Sequence, residues 1–334
     1  AVVGGSPLTL VVGGPGTGKT ICLRRAVVGA VRAGTPLERI VVLTASRVAA
    51  QDMRRAIIAE LGTSHLATTI TTVHGWCQHL LSDLVNPENM PRLLTAPEQD
   101  AQLRELLSAT VDELWPSCLR GALGTDGFVA QLRVFLARVR QLGMDPEELA
   151  DLGRTNGVDE WVSAAGFLAG YLDVLDAEQA IDYAELVHRT RLELTDPAQR
   201  GRLGQRYDLV VVDELAEMDP SMINVIADAH RSGLRVLAAA DPDTAVFDFR
   251  GTDPAAVTSF ATRFETPGES VEIFRLTDDL RFTPSIAGCL SAVATRLPVR
   301  GPVTRSGSTL IGDTAGVLVP LCTDESAVHE QTAR

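Results

Sequence analysis

One lysine occurs in this chain, and it lies in a glycine-rich segment. Of the 30 lysine and arginine residues, Lys19 is the single lysine, so the other 29 are arginine. Glycines let backbone N–H groups surround phosphate oxygens, and a compact ammonium reaches the β- and γ-phosphates better than a planar guanidinium does. The pattern predicts a nucleoside triphosphate site, against the alternative of a lysine left by chance in an arginine-rich composition. The segment reads Gly13, Gly14, Pro15, Gly16, Thr17, Gly18, Lys19 and Thr20.

An acidic pair that such a site needs follows much later in the chain. Asp213 and Glu214 come directly after the apolar run at residues 209–212. We expect Asp213 and the Thr20 hydroxyl to hold Mg²⁺, and Glu214 to polarise the attacking water. A strand that ends in Asp-Glu is a weak signal alone, but with the upstream glycine-rich segment it predicts the second half of a nucleotide site.

Short apolar runs indicate the elements that position these residues. Continuous rather than alternating apolar residues are typical of strands that helices cover on both faces, and a helical pattern at residues 47–61 separates two of them. We therefore predict an α/β fold with a parallel sheet and the nucleotide segment directly after its first strand. The predicted strands lie at residues 8–12, 40–44, 208–212 and 234–238.

The α/β alternation is interrupted and later resumes. Residues 79–180 have apolar side chains at helical spacing, which predicts a helical insertion in a domain formed by residues 1–78 and 181–266. We place a second boundary near Pro267, so that a strand at residues 271–276 opens another domain within residues 267–334. The chain ends within a helical pattern, which suggests a fragment of a longer protein.

The composition narrows the function classes. Hydrophobic residues make up 45% of the chain, no run approaches the length that spans a bilayer, and five scattered cysteines form no CxxC pair. These features favour a cytoplasmic protein with reduced thiols, without a membrane partner. The net charge of −13 repels nucleic acid, so any DNA binding must use a local groove or a partner subunit.

Several segments together resemble the UvrD/Rep-like branch of superfamily-one DNA helicases. The run from Thr71 to Trp76 resembles the T-x-H-S/G-F element, residues 181–186 resemble D-F-x-D-L, and residues 241–251 resemble G-D-P-D-Q-S-I-Y-x-F-R-G. Residues 43–55 and 276–286 resemble two further motifs, in the order that the family shows. The resemblance covers nearly the whole chain. It implies a RecA-like P-loop fold, ATP and Mg²⁺ as cofactors, and the start of a second RecA-like motor domain at residues 267–334.

The resemblance also implies roles for individual residues. Arg281 becomes the arginine that meets charge on the γ-phosphoryl group, which suits its fixed fork of donors. The aromatic rings of Trp76 and Phe249 could stack on bases, with core packing as the alternative for both and as an equal alternative for Trp76. Single-stranded DNA is the implied ligand, with contacts from Thr44, Thr72, His74, Trp76, Phe249 and Arg250.

The chain departs from the family at three positions. Ala216 replaces the glutamine of D-E-x-Q-D, Thr244 replaces a glutamine that senses the γ-phosphate, and Leu280 replaces a tyrosine that stacks on adenine. The groups that bind and cleave the nucleotide are kept, whereas those that report its state are lost. The pattern resembles the AdnA-type subunit of the actinobacterial AdnAB helicase–nuclease, which implies a second helicase–nuclease subunit as partner and duplex ends as substrate.

Three functions remain open from the sequence. The first is an ATP-dependent DNA helicase subunit in double-strand-break repair with a weakened ATPase. The second is a scaffold subunit that holds DNA and has a vestigial ATP site, which the lost glutamines favour. The third is an unrelated P-loop ATPase or kinase. The almost 200 residues between Lys19 and Asp213 disfavour it, because simple kinases have their acidic strand much closer.

Overall fold

The computed structural model describes residues 6–62, 69–85, 88, 90–110, 112–243, 251–253, 255–264, 270–294, 296 and 309–310. Within these ranges the chain forms a six-stranded sheet of β1 (Leu8–Gly13), β2 (Ile40–Thr44), β3 (Thr69–Thr72), β6 (Leu209–Val212), β7 (Arg235–Ala240) and β8 (Val271–Leu276). The strand order is β3-β2-β6-β7-β1-β8, and every neighbouring pair is parallel.

Apolar residues on both faces of the four inner strands explain why the centre of the sheet is buried, whereas the edge strands β3 and β8 are only partly buried. Along β2, alternate side chains enter two separate cores, one with Val42 and the other with Val41 and Leu43. The first core lies under α1 (Lys19–Arg32) and α2 (Arg47–Leu61). The second lies under α3 (Val73–Leu84), α9 (Tyr183–Glu193), α10 (Pro197–Arg206), α11 (Pro220–Arg231) and α12 (Phe260–Phe264). The predicted α/β fold and the helix at residues 47–61 are confirmed.

A helical insertion with its own core separates the two parts of the sheet. It leaves and rejoins the sheet domain through a short parallel bridge between β4 (Arg92–Leu93) and β5 (Ala180–Ile181). Its buried side chains, among them Leu103, Leu132 and Leu168, form a cluster distinct from both sheet cores. Leu80 and Leu81 pack in a sheet core, so α3 belongs to the sheet domain and the insertion follows it. The insertion helices are α4 (Ala96–Ala109), α5 (Ser117–Arg120), α6 (Asp126–Gln141), α7 (Pro146–Asn156) and α8 (Asp159–Ala177).

The strand predicted to open a second domain lies instead in the first sheet. β8 runs parallel to β1 over its full length, from Leu8 opposite Val271 to Gly13 opposite Leu276. The boundary that we predicted near Pro267 is therefore wrong for this strand, because its backbone satisfies the outer edge of β1. After β8 come β9 (Asp278–Asp279), α13 (Pro284–Ala294) and β10 (Thr309–Leu310).

Two further features of the described residues bear on the predicted class. None of their helices combines the length and the apolarity that a bilayer crossing needs. The cysteines among them, Cys22, Cys77, Cys118 and Cys289, are free thiols.

Candidate functional site

The glycine-rich segment forms a tight loop between β1 and α1. Gly16 and Gly18 have positive φ angles of 80° and 85°, a backbone region that side chains other than glycine rarely adopt. A Cβ atom on Gly13 would clash with the Thr17 hydroxyl oxygen and would lie 3.2 Å from the Leu276 carbonyl oxygen, so there is little room here for a larger residue. The loop leads into the N-terminus of α1, where backbone N–H groups favour an anion.

The side chain of Lys19 lies across this loop. Its Nζ donates to the carbonyl oxygens of Gly13 and Gly14, at 2.7 and 2.9 Å, and lies 3.7 Å from Oδ2 of Asp241. Burial lowers the pKa of Lys19, while the carboxylates of Asp241, Asp213 and Glu214 raise it. The ammonium group is therefore held in an acidic cleft, within reach of the loop that would surround phosphate.

The predicted acidic pair lies in the same cleft. Oδ2 of Asp213 accepts a hydrogen bond of 2.8 Å from the Thr20 hydroxyl. Burial raises the pKa of Asp213, and partial burial with the neighbouring carboxylates of Asp213 and Glu217 raises that of Glu214. Glu214 adopts a left-handed conformation with φ of 56°, which turns the chain sharply after the strand. A hydroxyl and a carboxylate oxygen side by side are the donors that Mg²⁺ prefers, so these residues fit the implied ion.

Arg281 reaches the cleft because the segment after β8 is fastened to the phosphate loop. The backbone N–H of Leu280 donates to the Gly16 carbonyl at 3.0 Å. Oδ1 of the buried Asp279 accepts from the N–H groups of Arg281 and Phe282, at 2.9 and 3.0 Å. The cleft has a volume of about 700 Å³, and both Leu280 and Arg281 line it. Our sequence reasoning missed Asp279, although an acid placed just before a turn is a known signal of this bonding pattern.

A second cavity of about 610 Å³ lies beside the nucleotide cleft. Thr44 and Thr72 end the neighbouring strands β2 and β3, so both lie at one edge of the sheet. Thr44 is buried and donates to the Ser46 carbonyl at 2.9 Å, while the Thr72 hydroxyl caps α3 by accepting from Gly75 N–H at 3.2 Å. We call this cavity the groove; it brings together three predicted DNA contacts, Thr44, Thr72 and His74.

The aromatic residue that faces the groove is not the predicted one. Trp76 has none of its surface exposed and packs in a sheet core, with its ring edge-on to Tyr207 at 6.4 Å. It therefore has no face available to a base, and the core-packing alternative is the correct one. Tyr183 is 41% exposed, lines the groove and lies edge-on to His74 at 5.1 Å. Two other predicted contacts, Phe249 and Arg250, and the substituted Thr244 lie outside the described residues.

A buried network positions Tyr183 at the start of α9. Asp182 caps this helix by accepting from Glu185 N–H at 2.8 Å. Its other carboxylate oxygen accepts from Gln99 at 2.8 Å and from the Tyr171 hydroxyl at 3.2 Å. Because Gln99 and Tyr171 belong to the insertion, that subdomain fixes the helix end from which Tyr183 projects. The sequence signal for Tyr183 is an aromatic residue directly after a capping aspartate.

The electrostatics of the groove differ from those of the cleft. Burial, followed by the charge of Arg47, lowers the pKa of His74 to about 4, so the imidazole is neutral near pH 7. The groove lining therefore combines hydroxyl groups, a neutral ring and one arginine with the acids Glu217 and Asp219. It presents polar and aromatic surface rather than concentrated positive charge.

Comparisons with known proteins agree with this geometry. The UvrD/REP helicase N-terminal domain family matches residues 2–265. DNA helicase II of Escherichia coli is 26% identical over 293 residues, which cover 85% of this chain and 38% of that protein. RecBCD enzyme subunit RecB of Mycolicibacterium smegmatis is 26% identical over 293 residues, which cover 74% of this chain and 26% of that protein. The chain thus spans less than half the length of these relatives.

The family match extends over most of the chain and includes the phosphate loop, the acidic pair and the groove. The six-stranded parallel sheet with helices on both faces is the RecA-like architecture that the resemblance implied. The chain belongs to the UvrD/REP helicase N-terminal domain family.

Proposed function

We propose that this chain is the first motor domain of an ATP-dependent DNA helicase or translocase subunit. The carrying observation is the convergence of Lys19, Thr20, Asp213 and Glu214 in one cleft, with Arg281 on its rim. Lys19 would bind the β- and γ-phosphates, while Thr20 and Asp213 would hold the Mg²⁺ that neutralises their charge. Glu214 would orient and polarise the attacking water, and Arg281 would stabilise the charge of the transition state.

We further propose that single-stranded DNA lies in the groove. Thr44, Thr72 and His74 would contact the phosphate backbone, and Tyr183 would offer a ring face to a base. Aromatic stacking of this kind tolerates any sequence, as a translocating protein requires. Phe249 and Arg250 remain proposed contacts on the resemblance alone.

We also propose that this motor hydrolyses ATP weakly and works within a larger assembly. Ala216 is buried and has no side-chain hydrogen-bonding group, and Leu280, which is 60% exposed, offers the cleft an apolar chain in place of an aromatic ring. Relatives described as subunits of the RecBCD enzyme support a multisubunit complex, and the resemblance to the AdnA-type subunit supports a role in double-strand-break repair. We propose an AdnA-type subunit, with a second helicase–nuclease subunit as its partner and a second motor domain following β8.

A scaffold subunit is the second candidate. The glutamines lost at Ala216 and Thr244 favour it, because a cleft that binds a nucleotide without reporting its state could serve structure alone. In that case the groove would still hold DNA, while the cleft would stabilise the fold without turnover.

Hydrolysis of ATP stimulated by single-stranded DNA separates the two candidates. We would measure it on the native protein in complex with its partner, with the phosphate loop of the partner disabled. Activity that depends on DNA and is abolished by Lys19→Ala identifies a working motor. Activity at background, with DNA binding retained, identifies the scaffold.

A further inference from the structure

Two threonines in the wall of the groove are almost fully buried, and they differ in how their hydroxyl groups are bonded. Thr44 and Thr252 each have 2% of their surface exposed. The Thr44 hydroxyl donates to the Ser46 carbonyl, whereas the Thr252 hydroxyl has no hydrogen-bond partner among the described residues. A buried hydroxyl without a partner costs free energy, because folding removes the hydrogen bonds that it makes to water. Such a group in a folded protein calls for an explanation.

Contacts on both sides hold Thr252 at this place in the wall. Before it, the Gly251 carbonyl accepts a hydrogen bond from the guanidinium of Arg138, which belongs to the insertion. After it, the Asp253 N–H donates to the Met218 carbonyl at 2.9 Å. The two neighbours of Thr252 are thus anchored, one to the insertion and the other to the sheet domain.

The topology places Thr252 at the far side of the groove from one of the proposed backbone contacts. Thr72 ends β3, and Thr44 ends the neighbouring strand β2. Met218, to which the Thr252 segment is bonded, follows β6 after a short turn, and β6 lies on the other side of β2. Neighbouring strands are about 5 Å apart, so a single strand in the groove would meet Thr72 and Thr44 at one end and Thr252 at the other.

We propose that the Thr252 hydroxyl is a further contact to single-stranded DNA in the groove and donates a hydrogen bond to a phosphate oxygen. The inference rests on the proposed function, since it takes single-stranded DNA as the ligand. Threonine hydroxyls are common donors to phosphate, and a contact of this kind carries no sequence information. The hydroxyl oxygen itself is covered, so the strand would reach it after the side chain rotates between staggered positions. The phosphate then supplies the acceptor that the described residues do not.

Three substitutions in the native protein test the inference. Thr252→Val replaces the hydroxyl with a methyl group of similar size, whereas Thr252→Ser keeps the hydroxyl. Thr190→Val is the matched control, because the buried Thr190 on α9 donates to the Leu186 carbonyl at 2.8 Å and does not line the groove. For each variant we would measure the melting temperature and the dissociation constant of a labelled oligothymidylate, the latter at low and at high salt.

We expect the effects of Thr252→Val on affinity and on stability to have opposite signs. Binding of the oligothymidylate should weaken about tenfold, the loss expected for one hydrogen bond to a charged group. The melting temperature should stay the same or rise, because the substitution removes a buried polar group that has no partner. The loss of affinity should be the same factor at both salt concentrations, since no charge is removed.

The other two variants should separate these effects. Thr252→Ser should bind the oligothymidylate as the unaltered protein does, because it keeps the donor. Thr190→Val should lower the melting temperature and leave the affinity unchanged, because it removes a hydroxyl whose hydrogen bond lies within the protein.

Unchanged affinity in Thr252→Val overturns the inference. A lower melting temperature in Thr252→Val, as in Thr190→Val, overturns it as well, because the hydroxyl would then have a partner in the folded protein. If Thr252→Val does not fold, weaker binding in Thr252→Ala than in Thr252→Ser supports the inference, and equal binding overturns it. An unaltered protein that does not bind the oligothymidylate refutes the proposed function itself, a result distinct from binding that does not depend on Thr252.

Discussion

The nucleotide cleft and the groove lie side by side at one edge of the sheet, but they are built from different chemistry. The cleft is made of fixed charges, with Lys19 between the carboxylates of Asp213 and Asp241. The groove is made of hydroxyl groups, a neutral His74 and the ring of Tyr183. Substitutions in the cleft should therefore change turnover, whereas substitutions in the groove should change DNA affinity or stability.

The largest expected effect is in the cleft. Lys19→Ala should lower ATP hydrolysis by about a thousandfold, because it removes both a phosphate contact and the charge that stabilises the transition state. Affinity for single-stranded DNA without nucleotide should change less than about twofold, since Lys19 does not line the groove. Steady-state hydrolysis and fluorescence anisotropy measure the two quantities.

Arg32→Ala is the matched control for this variant. It removes a cation from the other end of the same helix, where the guanidinium donates to the Glu60 carbonyl outside the cleft. Hydrolysis should stay within about twofold of the unaltered protein. Equal losses in Lys19→Ala and Arg32→Ala would show that the cleft does not depend on its one ammonium group.

The same contrast explains which parts of the site could be predicted. Lys19 and Asp213 were found because phosphate and Mg²⁺ chemistry restricts the residue type, and a strand or a helix start fixes the position. Trp76 was assigned wrongly because an aromatic ring serves a core and a base-stacking surface equally well, and only burial distinguishes the two. The position of β8 in the first sheet could not be predicted from its sequence pattern, because such a pattern identifies a strand but not the strand with which it pairs. Asp279 was missed although its local turn pattern is a known signal, because that pattern does not reveal that the turn it holds is bonded to the phosphate loop through Leu280 N–H and the Gly16 carbonyl.

Trp76→Ala tests the assignment of this residue to the core. Removing a fully buried indole should lower the free energy of unfolding by about 3–5 kcal/mol, measured by urea denaturation. Trp76→Phe is the matched variant and should cost less than about 1.5 kcal/mol, because the indole N–H has no hydrogen-bond partner among the described residues. If Trp76→Ala keeps its stability and loses DNA affinity instead, the ring faces DNA after all.

His74 should make the groove side sensitive to acid. Its pKa is about 4 in the folded chain, against an ordinary value of 6.5, so the unfolded chain takes up a proton first as the pH falls. The free energy of unfolding is therefore unaffected by His74 above about pH 6.5 and falls by about 3 kcal/mol as the pH drops to 4. His74→Gln should lose less stability over this range.

The pH dependence of stability, rather than its absolute value, is the relevant readout. The raised pKa values of the buried Asp182 and Asp219 change the stability in the opposite direction as the pH falls. The unaltered protein and His74→Gln both contain these two residues, so their contribution cancels when one stability curve is subtracted from the other. Urea midpoints at several pH values between 7 and 4 give the two curves. Parallel curves for the unaltered protein and His74→Gln would mean that His74 titrates normally in the folded chain.

Tyr183→Leu should have the smallest effect and the most specific one. Loss of one stacking ring should weaken binding of an oligothymidylate about tenfold, consistent with about 1–3 kcal/mol per stacked base. Unfolding should change by less than about 1 kcal/mol, because the side chain is 41% exposed. Leu152→Ala is the control, since Leu152 is 40% exposed on the insertion and lies outside the groove. Substitution of Tyr183 should thus change DNA affinity, whereas substitution of Trp76 should change the stability of the same sheet domain. Unchanged DNA affinity in Tyr183→Leu would mean that the DNA does not lie in the groove.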